Sequence, residues 1–342
     1  TIWANDVSAK KALVHHANFG GDAFVLRDIQ EVRGDLLPAA DLAWASFPCQ
    51  DLSLAGNLNG MKAGTRSGLF WEWMRVLDEL SEAKRAPRVL VAENVVGFLV
   101  ANDGADFRTA YRALRDRGYL AGAVVLDARS FVPQSRPRAF LIAVKEGVDL
   151  RGLVLGGPSE PFHTPAVVRA AKSVADPEWL WWSLPIPSSR VPKFSEVCER
   201  SAPSEEVPVR EFQKMLSPVN RDKLDAAIQV GRLLCGTGYK RTRPIEDGSR
   251  RTVLELRFDG VAGCLRTPEG GSSRQVVVLV DKGRVRTRLL TVRECARLMG
   301  FPDDFRIVVS DTRAYKQFGN SVVVPLIEHA AKLMKPAITE LK

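Results

Sequence analysis

The chain has 342 residues, of which 45% are hydrophobic and 26% charged, proportions close to those of ordinary globular proteins. This composition excludes a wholly disordered chain, a collagen and a coiled-coil rod. Apolar runs such as 276–280 are far too short to cross a bilayer, and no charged-then-apolar leader opens the sequence. The five cysteines are too scattered for a disulfide framework, and no Cys/His spacing is typical of zinc. We therefore expect a reduced cytoplasmic protein without a membrane span or a bound metal.

Positive charge is concentrated in one part of the chain. Lys and Arg number 49 against 40 Asp and Glu, which gives a net charge of +9. Between residues 231 and 290, 13 basic residues stand against 6 acidic ones. A local basic excess suits a polyanionic partner such as a nucleic acid, although a solvated surface explains the charge alone equally well.

The first half of the chain alternates strand-like and helix-like segments. Strands are predicted at 41–47, 88–92, 124–127 and 139–144, and helices at 68–80 and 106–117. Strands that alternate with helices favour a largely parallel, doubly wound α/β sheet. In such a sheet the chemistry lies in loops beyond the carboxyl ends of the strands.

The pattern changes in the second half. Residues 151–210, rich in Pro, Ser and Trp, predict a crossover and hinge in which the tryptophans form hydrophobic packing. Residues 211–290 predict a smaller domain with one helix over 222–234, short strands and the basic excess. Residues 291–342 return to the first domain, with helices at 291–299 and about 322–335.

Two strand ends carry reactive side chains. Phe47-Pro48-Cys49-Gln50 holds a thiol in a loop that proline makes rigid, which is a candidate nucleophile. Most Pro-Cys pairs are nevertheless structural. Glu93-Asn94-Val95 ends the next strand with a carboxyl group that either takes part in proton transfer or simply caps a helix.

Two later segments carry polar groups, and each group has two alternative roles. Arg136 and Arg138 precede a strand and point the same way, either toward a phosphate or carbonyl oxygen or into solvent. The segment 315–322 opens the last predicted helix, where Asn320 or Ser321 caps the helix or contacts a cofactor.

Five motifs resemble, in order and spacing, those of the bacterial cytosine-5 DNA methyltransferases: PCQ at 48–50, ENV at 93–95, QxRxR at 134–138, RxxGFP at 297–302 and QFGNSV at 317–322. The resemblance covers 1–145 and about 260–335. It implies a Rossmann-like catalytic and cofactor domain with a mostly parallel sheet over 1–150, completed by 291–342. It also implies a target-recognition domain at 211–290, joined by the crossover at 151–210.

The resemblance implies a methyl transfer from S-adenosyl-L-methionine to C5 of cytosine, with S-adenosyl-L-homocysteine as the product and no metal. Cys49 would add to C6, Glu93 would bond N3 and the amine, Arg138 would hold O2, and Arg136 would support the loop or a phosphate. Structural support is implied for Pro48, Asn94 and Gln134. Cofactor contacts are implied for Asp6, Val7, Asp28, Ile29, Asn320, Ser321 and Val322.

The same resemblance implies duplex DNA as the partner, because the target base must be flipped out of the helix. DNA contacts are implied for Gln50, Arg66, Lys240, Arg241, Arg243, Arg250, Arg251, Arg266, Gly270, Gly271 and Arg274. We further expect a monomer on DNA, associated with the nucleoid, and a cognate restriction endonuclease that acts on the same site.

One departure from the family pattern concerns the cofactor. The Phe-x-Gly-x-Gly turn that opens these enzymes does not precede Trp3, so either a separate N-terminal segment or another part of the chain would supply it. Two alternative functions stay open. A tRNA cytosine methyltransferase shares the fold, but its Cys-Phe-Thr signature is absent. A catalytically silent DNA-binding relative is the other, and Cys49, Glu93 and Arg138 argue against it.

Overall fold

The computed structural model describes residues 1–47, 68–187, 190–202, 207–244, 249–268 and 274–339. The chain forms two compact units, one of 1–126, 137–186 and 328–342, the other of 127–136 and 187–327. This division differs from the predicted one. Residues 151–186, predicted as a crossover, belong to the first unit, and the return to that unit comes at 328 rather than at 291. None of the helices in the described ranges is long and apolar enough to span a membrane.

The first unit alternates strands and helices, as the sequence predicts. Its elements are β1 Ala4–Asp6, α1 Ala9–Phe19, β2 Phe24–Leu26, β3 Leu42–Ser46, α2 Gly68–Glu82, β4 Val89–Val95, α3 Ala105–Arg115, β5 Tyr119–Asp127, β6 Pro137–Lys145, β7 Val154–Leu155, α4 Pro165–Val174 and β8 Trp181–Trp182.

The main sheet of this unit has the strand order β3-β4-β6-β5, and β1 and β2 form a separate parallel pair. β3 and β4 are parallel, whereas β4 and β6 are antiparallel. The expectation of a mostly parallel sheet is not confirmed, because β4 and β6 are antiparallel and the sheet is mixed. The physical reason is the connection 128–136 between β5 and β6, which is shorter than the roughly dozen residues that a parallel crossover needs.

The core of the first unit lies on this sheet. All six residues from Val89 to Asn94 in β4 are buried, as expected for a central strand. Helix α2 buries Phe70, Trp73, Met74, Leu77 and Leu80 along one stripe, the spacing of an amphipathic helix. The predicted tryptophan packing is confirmed, since Trp179 and Trp182 are buried and Trp179 stacks on Tyr111 at 5.3 Å.

The second unit is built on a four-stranded antiparallel sheet with the order β10-β9-β11-β12. Its elements, with the helix that leads back to the first unit, are α5 Phe194–Val197, α6 Val209–Lys214, α7 Pro218–Gln229, β9 Leu234–Pro244, β10 Arg250–Arg257, β11 Val276–Asp281, β12 Arg284–Leu289, α8 Val292–Leu298, α9 Asp311–Asn320 and α10 Val324–Thr339.

Two helix boundaries differ from the sequence prediction. The helix predicted over 222–234 ends at Gln229, since Gly231 takes a left-handed conformation (φ +71°) and Leu234 already begins β9. The segment predicted to open the last helix instead ends α9, whose C-terminal cap is Ser321. Asn320 is thus the last residue of α9, and Ser321 and Val322 lie between this helix and α10, which begins at Val324.

Candidate active site

The ends of β3 and β4 bring two of the predicted segments together. Ser46 lies opposite Glu93 in the parallel register, and the buried Asn94 donates from Nδ2 to the carbonyl oxygen of Phe47 at 3.1 Å. The Asn94 amide thus holds the chain immediately before Pro48 against the end of β4. Four predicted site residues, Pro48, Cys49, Gln50 and Arg66, lie outside the described residues.

Glu93 and Arg138 form a nearly buried ion pair beside that strand end. Arg138 Nε lies 3.1 Å from Glu93 Oε1, and the two side chains are only 15% and 9% exposed. The antiparallel register sets this contact by placing Arg138 opposite Val95. The guanidinium offsets the cost of burying the carboxylate charge. The result is a hydrogen-bond acceptor and a donor side by side at the end of a strand.

Arg136 makes a different set of contacts, although it stands only two residues earlier. It is 3% exposed, and its terminal nitrogens donate to the carbonyl oxygens of Leu265, Gly319 and Ser321 at 2.8, 2.9 and 2.8 Å. A weaker contact reaches the Cys264 sulfur at 3.4 Å. Of the two roles predicted for Arg136, loop support matches these contacts, because both terminal nitrogens are engaged by the protein.

The connection 127–136 is held by two further buried or capping groups. Gln134 is 0% exposed, donates from Nε2 to the Leu298 carbonyl at 2.7 Å and accepts from the Leu265 amide at 2.9 Å. Asp127 accepts from the backbone amides of Arg136 at 2.8 Å and Arg129 at 3.1 Å. We did not single out Asp127 from the sequence, although an acid that ends a strand before a turn is a typical backbone cap.

The C-terminal end of α9 makes close contact with the segment before the predicted recognition loop. A side chain at Gly319 would place its Cβ 2.6 Å from the Thr267 nitrogen and 2.7 Å from the Arg266 carbonyl carbon, so only glycine allows this approach. Thr267 Oγ1 donates to Asn320 Oδ1 at 2.6 Å. The sequence carried no signal for Thr267, because its partner is 53 residues away along the chain.

The predicted adenosine contacts lie at another strand edge. Since β1 and β2 are parallel, Asp6 at the end of β1 and Asp28 just beyond β2 share one edge. Asn5 donates to the carbonyls of Val25 at 3.0 Å and Arg27 at 2.8 Å, which fixes the chain before Asp28. Asn5 was also missed, because an amide inside a short strand gives no functional signal.

The two carboxylates at this edge are oriented by local hydrogen bonds. Asp6 accepts from the Ser8 amide at 2.8 Å and from Lys11 Nζ at 2.6 Å. Asp28 accepts from the Gln30 amide at 3.0 Å. Val7 is 69% exposed, so an apolar surface adjoins the Asp6 carboxylate. An exposed apolar side chain next to an oriented acid fits the base and ribose of a nucleoside.

The family model for C-5 cytosine-specific DNA methylases matches residues 1–336 of the chain. The chain belongs to this family. It is 31% identical over 345 aligned residues to the DNA-cytosine methyltransferase of Escherichia coli K12, covering 89% of the chain and 62% of that protein. It is 27% identical to the type II methyltransferase M.MspI of Moraxella sp., covering 98% of the chain and 65% of that protein. The chain thus spans under two thirds of the length of either relative.

Solved structures with low sequence identity to this chain share its fold. The Schizosaccharomyces pombe Dnmt2 methyltransferase aligns with a TM-score of 0.55 at 17% identity, over 98% of this chain and 91% of that one. A Spodoptera frugiperda DNMT2 mutant aligns with a TM-score of 0.59 at 17% identity, over 98% and 92%. The predicted family and the mixed α/β methyltransferase fold are confirmed.

The basic residues that the family resemblance assigned to DNA fall into two groups in the second unit. Arg241 is held by Tyr239, whose ring centroid lies 4.6 Å away, and by Glu255 at 2.9 Å. Arg274 lies over the Tyr315 ring at 4.8 Å. The exposed members are Lys240, Arg250, Arg251 and Arg266.

The exposed arginines Arg250 and Arg251 start β10, and Arg251 donates to the Lys214 carbonyl at 2.9 Å. In the register of the sheet, Arg251 lies opposite Arg243, so basic residues of two strands are neighbours. The side chain of Arg243, together with Gly270 and Gly271, lies outside the described part of the chain. The sheet thus carries a local concentration of positive charge, as the sequence indicated.

Proposed function

We propose that this methylase family chain transfers a methyl group from S-adenosyl-L-methionine to C5 of cytosine in duplex DNA. The observation that carries the proposal is the Glu93–Arg138 pair at the end of β4, 3.1 Å from nitrogen to oxygen. Asn94, the neighbour of Glu93, holds Phe47, which is two residues before Cys49. A carboxylate and a guanidinium thus lie beside the strand end from which the chain continues to Cys49, and α/β enzymes place their chemistry at such strand ends.

The proposed chemistry assigns one task to each side chain. Cytosine C5 is a poor nucleophile, and a bond from Cys49 Sγ to C6 makes it reactive. Glu93 bonds N3 and the exocyclic amine as charge builds on the ring, while Arg138 donates to O2. C5 then takes the methyl group. A base removes the C5 proton, the bond between Sγ and C6 breaks, and the aromatic ring is restored.

The cofactor assignment rests on the edge formed by β1 and β2. S-adenosyl-L-methionine supplies the methyl group when bound, and S-adenosyl-L-homocysteine is left. Asp6 would accept from the ribose hydroxyls, because an oriented carboxylate accepts several hydrogen bonds. Val7 would cover the adenine, with Asp28 and Ile29 beside it. The family resemblance also assigns Asn320, Ser321 and Val322 to the cofactor.

A further strand is part of the proposal, on the basis of unpaired strand edges. Among the described residues, β1 has β2 as its one strand neighbour, and β3 has β4. Ile2 and Phe19, beside β1, are large apolar side chains left 59% and 69% exposed. A strand with a glycine-rich turn would pair with a free edge and would bring backbone N–H groups to the methionine carboxylate. Calorimetric titration with S-adenosyl-L-methionine, with and without such a segment, tests this part.

The second unit supplies the proposed DNA surface. The target cytosine has to leave the duplex to reach Glu93, and exposed basic side chains on β9 and β10 would hold the phosphates. Type II methyltransferases are among the similar proteins. We accordingly propose that the protein acts on DNA as a monomer in the cytoplasm, on the nucleoid, and modifies the site of a cognate restriction endonuclease.

Methyl transfer from labelled S-adenosyl-L-methionine to duplex DNA and to tRNA, measured side by side, tests the proposal. We expect label in the DNA only, and label in tRNA alone would overturn the substrate. Duplex DNA with 5-fluorocytosine should trap a covalent adduct, since fluorine does not leave as a proton. Cys49→Ser should abolish the adduct and the matched Cys264→Ser should keep it. An adduct that survives Cys49→Ser would refute the nucleophile.

Glu93→Gln isolates the role of the acid. It keeps the shape of the side chain and removes its charge, so methyl transfer should fall by at least about a hundredfold, the usual effect of losing a general acid. Binding of the cofactor should stay unchanged, because the adenosine contacts are on other strands. An equal loss of methyl transfer and of cofactor binding would indicate that Glu93 has a structural role.

A further inference from the structure

Four basic residues of the stretch 231–290 have no role in the proposed function. The stretch has 13 basic residues, of which seven are assigned to DNA by the family resemblance, and two more, Arg257 and Arg288, are held in ion pairs with acids. The remaining four side chains are exposed, and none has a hydrogen-bond or ion-pair partner in the part of the chain that the structure describes. We call them the hairpin cluster: Arg232, Lys282, Arg284 and Arg286.

The hairpin cluster lies at one end of the antiparallel sheet of the second unit. Leu234, the first residue of β9, lies opposite Val280, next to the turn between β11 and β12. Arg232 precedes this end of β9. Arg250 lies opposite Pro244, the last residue of β9. The basic residues already assigned to DNA on β10 and the hairpin cluster are therefore at opposite ends of the same strand.

The turn of the hairpin carries a cation in an unfavourable conformation. Asp281 and Arg284 are opposite in register, so Lys282 and Gly283 form a two-residue turn, in which both have a positive φ, +47° and +81°. Such a turn favours Asn, Asp or Gly at its first central position, and lysine is disfavoured there because its Cβ crowds the backbone. A charge that is kept at a strained position indicates a role for that charge.

Arg284 and Arg286 lie on the face of the sheet opposite to the apolar core. Val285 and Leu289 of the same strand pack into that core, and successive side chains of a strand alternate between the two faces. The registers of β12, β11, β9 and β10 put Arg251 on the same face as Arg286, eight residue steps along the strands and three strand spacings away. In a flat sheet this separation is about 30 Å.

We propose that the hairpin cluster is a second phosphate-binding surface, which holds duplex DNA away from the target cytosine. The proposal rests on the proposed function, because DNA is the ligand. Unpaired guanidinium and ammonium groups bind phosphate oxygens without reading bases, so the cluster adds affinity and salt dependence but no sequence preference. Its separation from Arg251 is close to one turn of B-DNA, about 34 Å, so one duplex can offer phosphates to both ends of the sheet.

The salt dependence of DNA affinity tests the proposal. We would measure fluorescence anisotropy with a mixed-sequence duplex of about 30 base pairs, from about 50 to about 200 mM salt. Arg284→Gln and Arg286→Gln should each flatten the slope of log affinity against log salt by up to about 1 unit. With both substitutions, the affinity lost over this range should be about tenfold smaller than in the parent. The matched Arg221→Gln removes an exposed charge from α7 and should leave the slope unchanged.

The length of the duplex provides a further comparison. A duplex of about 8 base pairs is only about 27 Å long and is shorter than the separation between the two surfaces. It cannot contact both ends of the sheet at once, so the double variant should lose less of its slope on this duplex than on the longer one. An equal effect on both duplexes would refute simultaneous contact.

Protection of Lys282 gives a measurement that needs no substitution. Its acetylation by an amine-reactive ester, followed by mass spectrometry, should slow several-fold when the longer duplex is added and should recover at high salt. Lys84, an exposed lysine that follows α2 in the first unit, is the internal control. Equal protection of the two lysines, or none at Lys282, would overturn the proposal.

The outcomes separate this proposal from the proposed function. A parent protein that does not bind duplex DNA would refute both. If the parent binds and Arg250→Gln with Arg251→Gln flattens the slope, whereas the hairpin variants do not, only the second surface is refuted. Self-association of the hairpin double variant with an unchanged slope would show instead that these charges protect β12, the outer strand of the described sheet, from pairing with another chain.

Discussion

Arg136→Met is the substitution that most directly separates a supporting from a catalytic role. Methionine fills a similar volume but donates no hydrogen bonds, so the carbonyl oxygens of Leu265, Gly319 and Ser321 lose the donors now at 2.8–2.9 Å. A buried acceptor left without its partner costs about 1 kcal/mol at the low end. The three together predict a loss of about 3 kcal/mol in the local free energy of unfolding, with the transfer reaction affected only indirectly.

The measurement has to report on the second unit. All seven tryptophans lie in the first unit, so their fluorescence is a poor probe here. Hydrogen exchange followed by mass spectrometry reads peptides around 262–268 and 316–323 directly. A loss of about 3 kcal/mol corresponds to exchange about a hundredfold faster in those peptides.

Arg129→Met is the matched control, since Arg129 is an exposed arginine in the turn before Arg136. Exposed substitutions usually change stability by less than about 0.5 kcal/mol, so exchange should stay as in the parent. Exchange in Arg136→Met that is less than about fivefold faster, together with lost methyl transfer, would refute the supporting role and favour contact with substrate.

Three further outcomes follow from other contacts. Gly319→Ala should destabilise the second unit by about 1–3 kcal/mol in thermal unfolding, because its Cβ meets backbone at 2.6 Å, whereas Gly157→Ala, with nothing within 4 Å, should not. Replacing Arg250 and Arg251 by glutamine should flatten the salt dependence of DNA affinity by up to about 2 units, and an unchanged slope would place the phosphates elsewhere. Burial raises the pKa of Glu294, but hydrogen bonds from a guanidinium and two backbone amides bring it below its usual range. That stabilisation is full above about pH 4.3 and is lost as the pH falls through the folded pKa. Glu294→Gln should therefore lower the free energy of unfolding, measured with denaturant near pH 7, by about 3–5 kcal/mol. The difference between parent and variant should narrow below about pH 4.

The Arg288–Glu294 pair is a buried ion pair in the second unit. Glu294 is 0% exposed and lies 2.6 Å from Arg288 Nη2. It also accepts from the Thr291 amide at 2.8 Å as part of a capping box at the start of α8. The same Arg288 contacts the Cys198 sulfur and the Glu199 carbonyl. One guanidinium thus connects the cap of α8 to Cys198 and to the carbonyl of Glu199.

The sequence by itself determined the family and the kind of most elements. Periodicity is a local property, so runs such as 88–92 and 68–80 predict a strand and a helix without any knowledge of the fold. The order of the five motifs predicted the family, and the match over 1–336 confirmed it. Asn94 was predicted to brace the loop before Cys49, and its hydrogen bond to Phe47 supports that prediction.

Only the tertiary structure decided which polar groups meet. Arg136 and Arg138 alternate in one short segment, yet the first donates to backbone of two distant segments and the second pairs with Glu93. The antiparallel position of β6 beside β4 likewise could not be read from its apolar residues, which are the same in either orientation. Each of these contacts depends on how segments far apart in the chain pack together, and local residue patterns do not show which distant segments will meet.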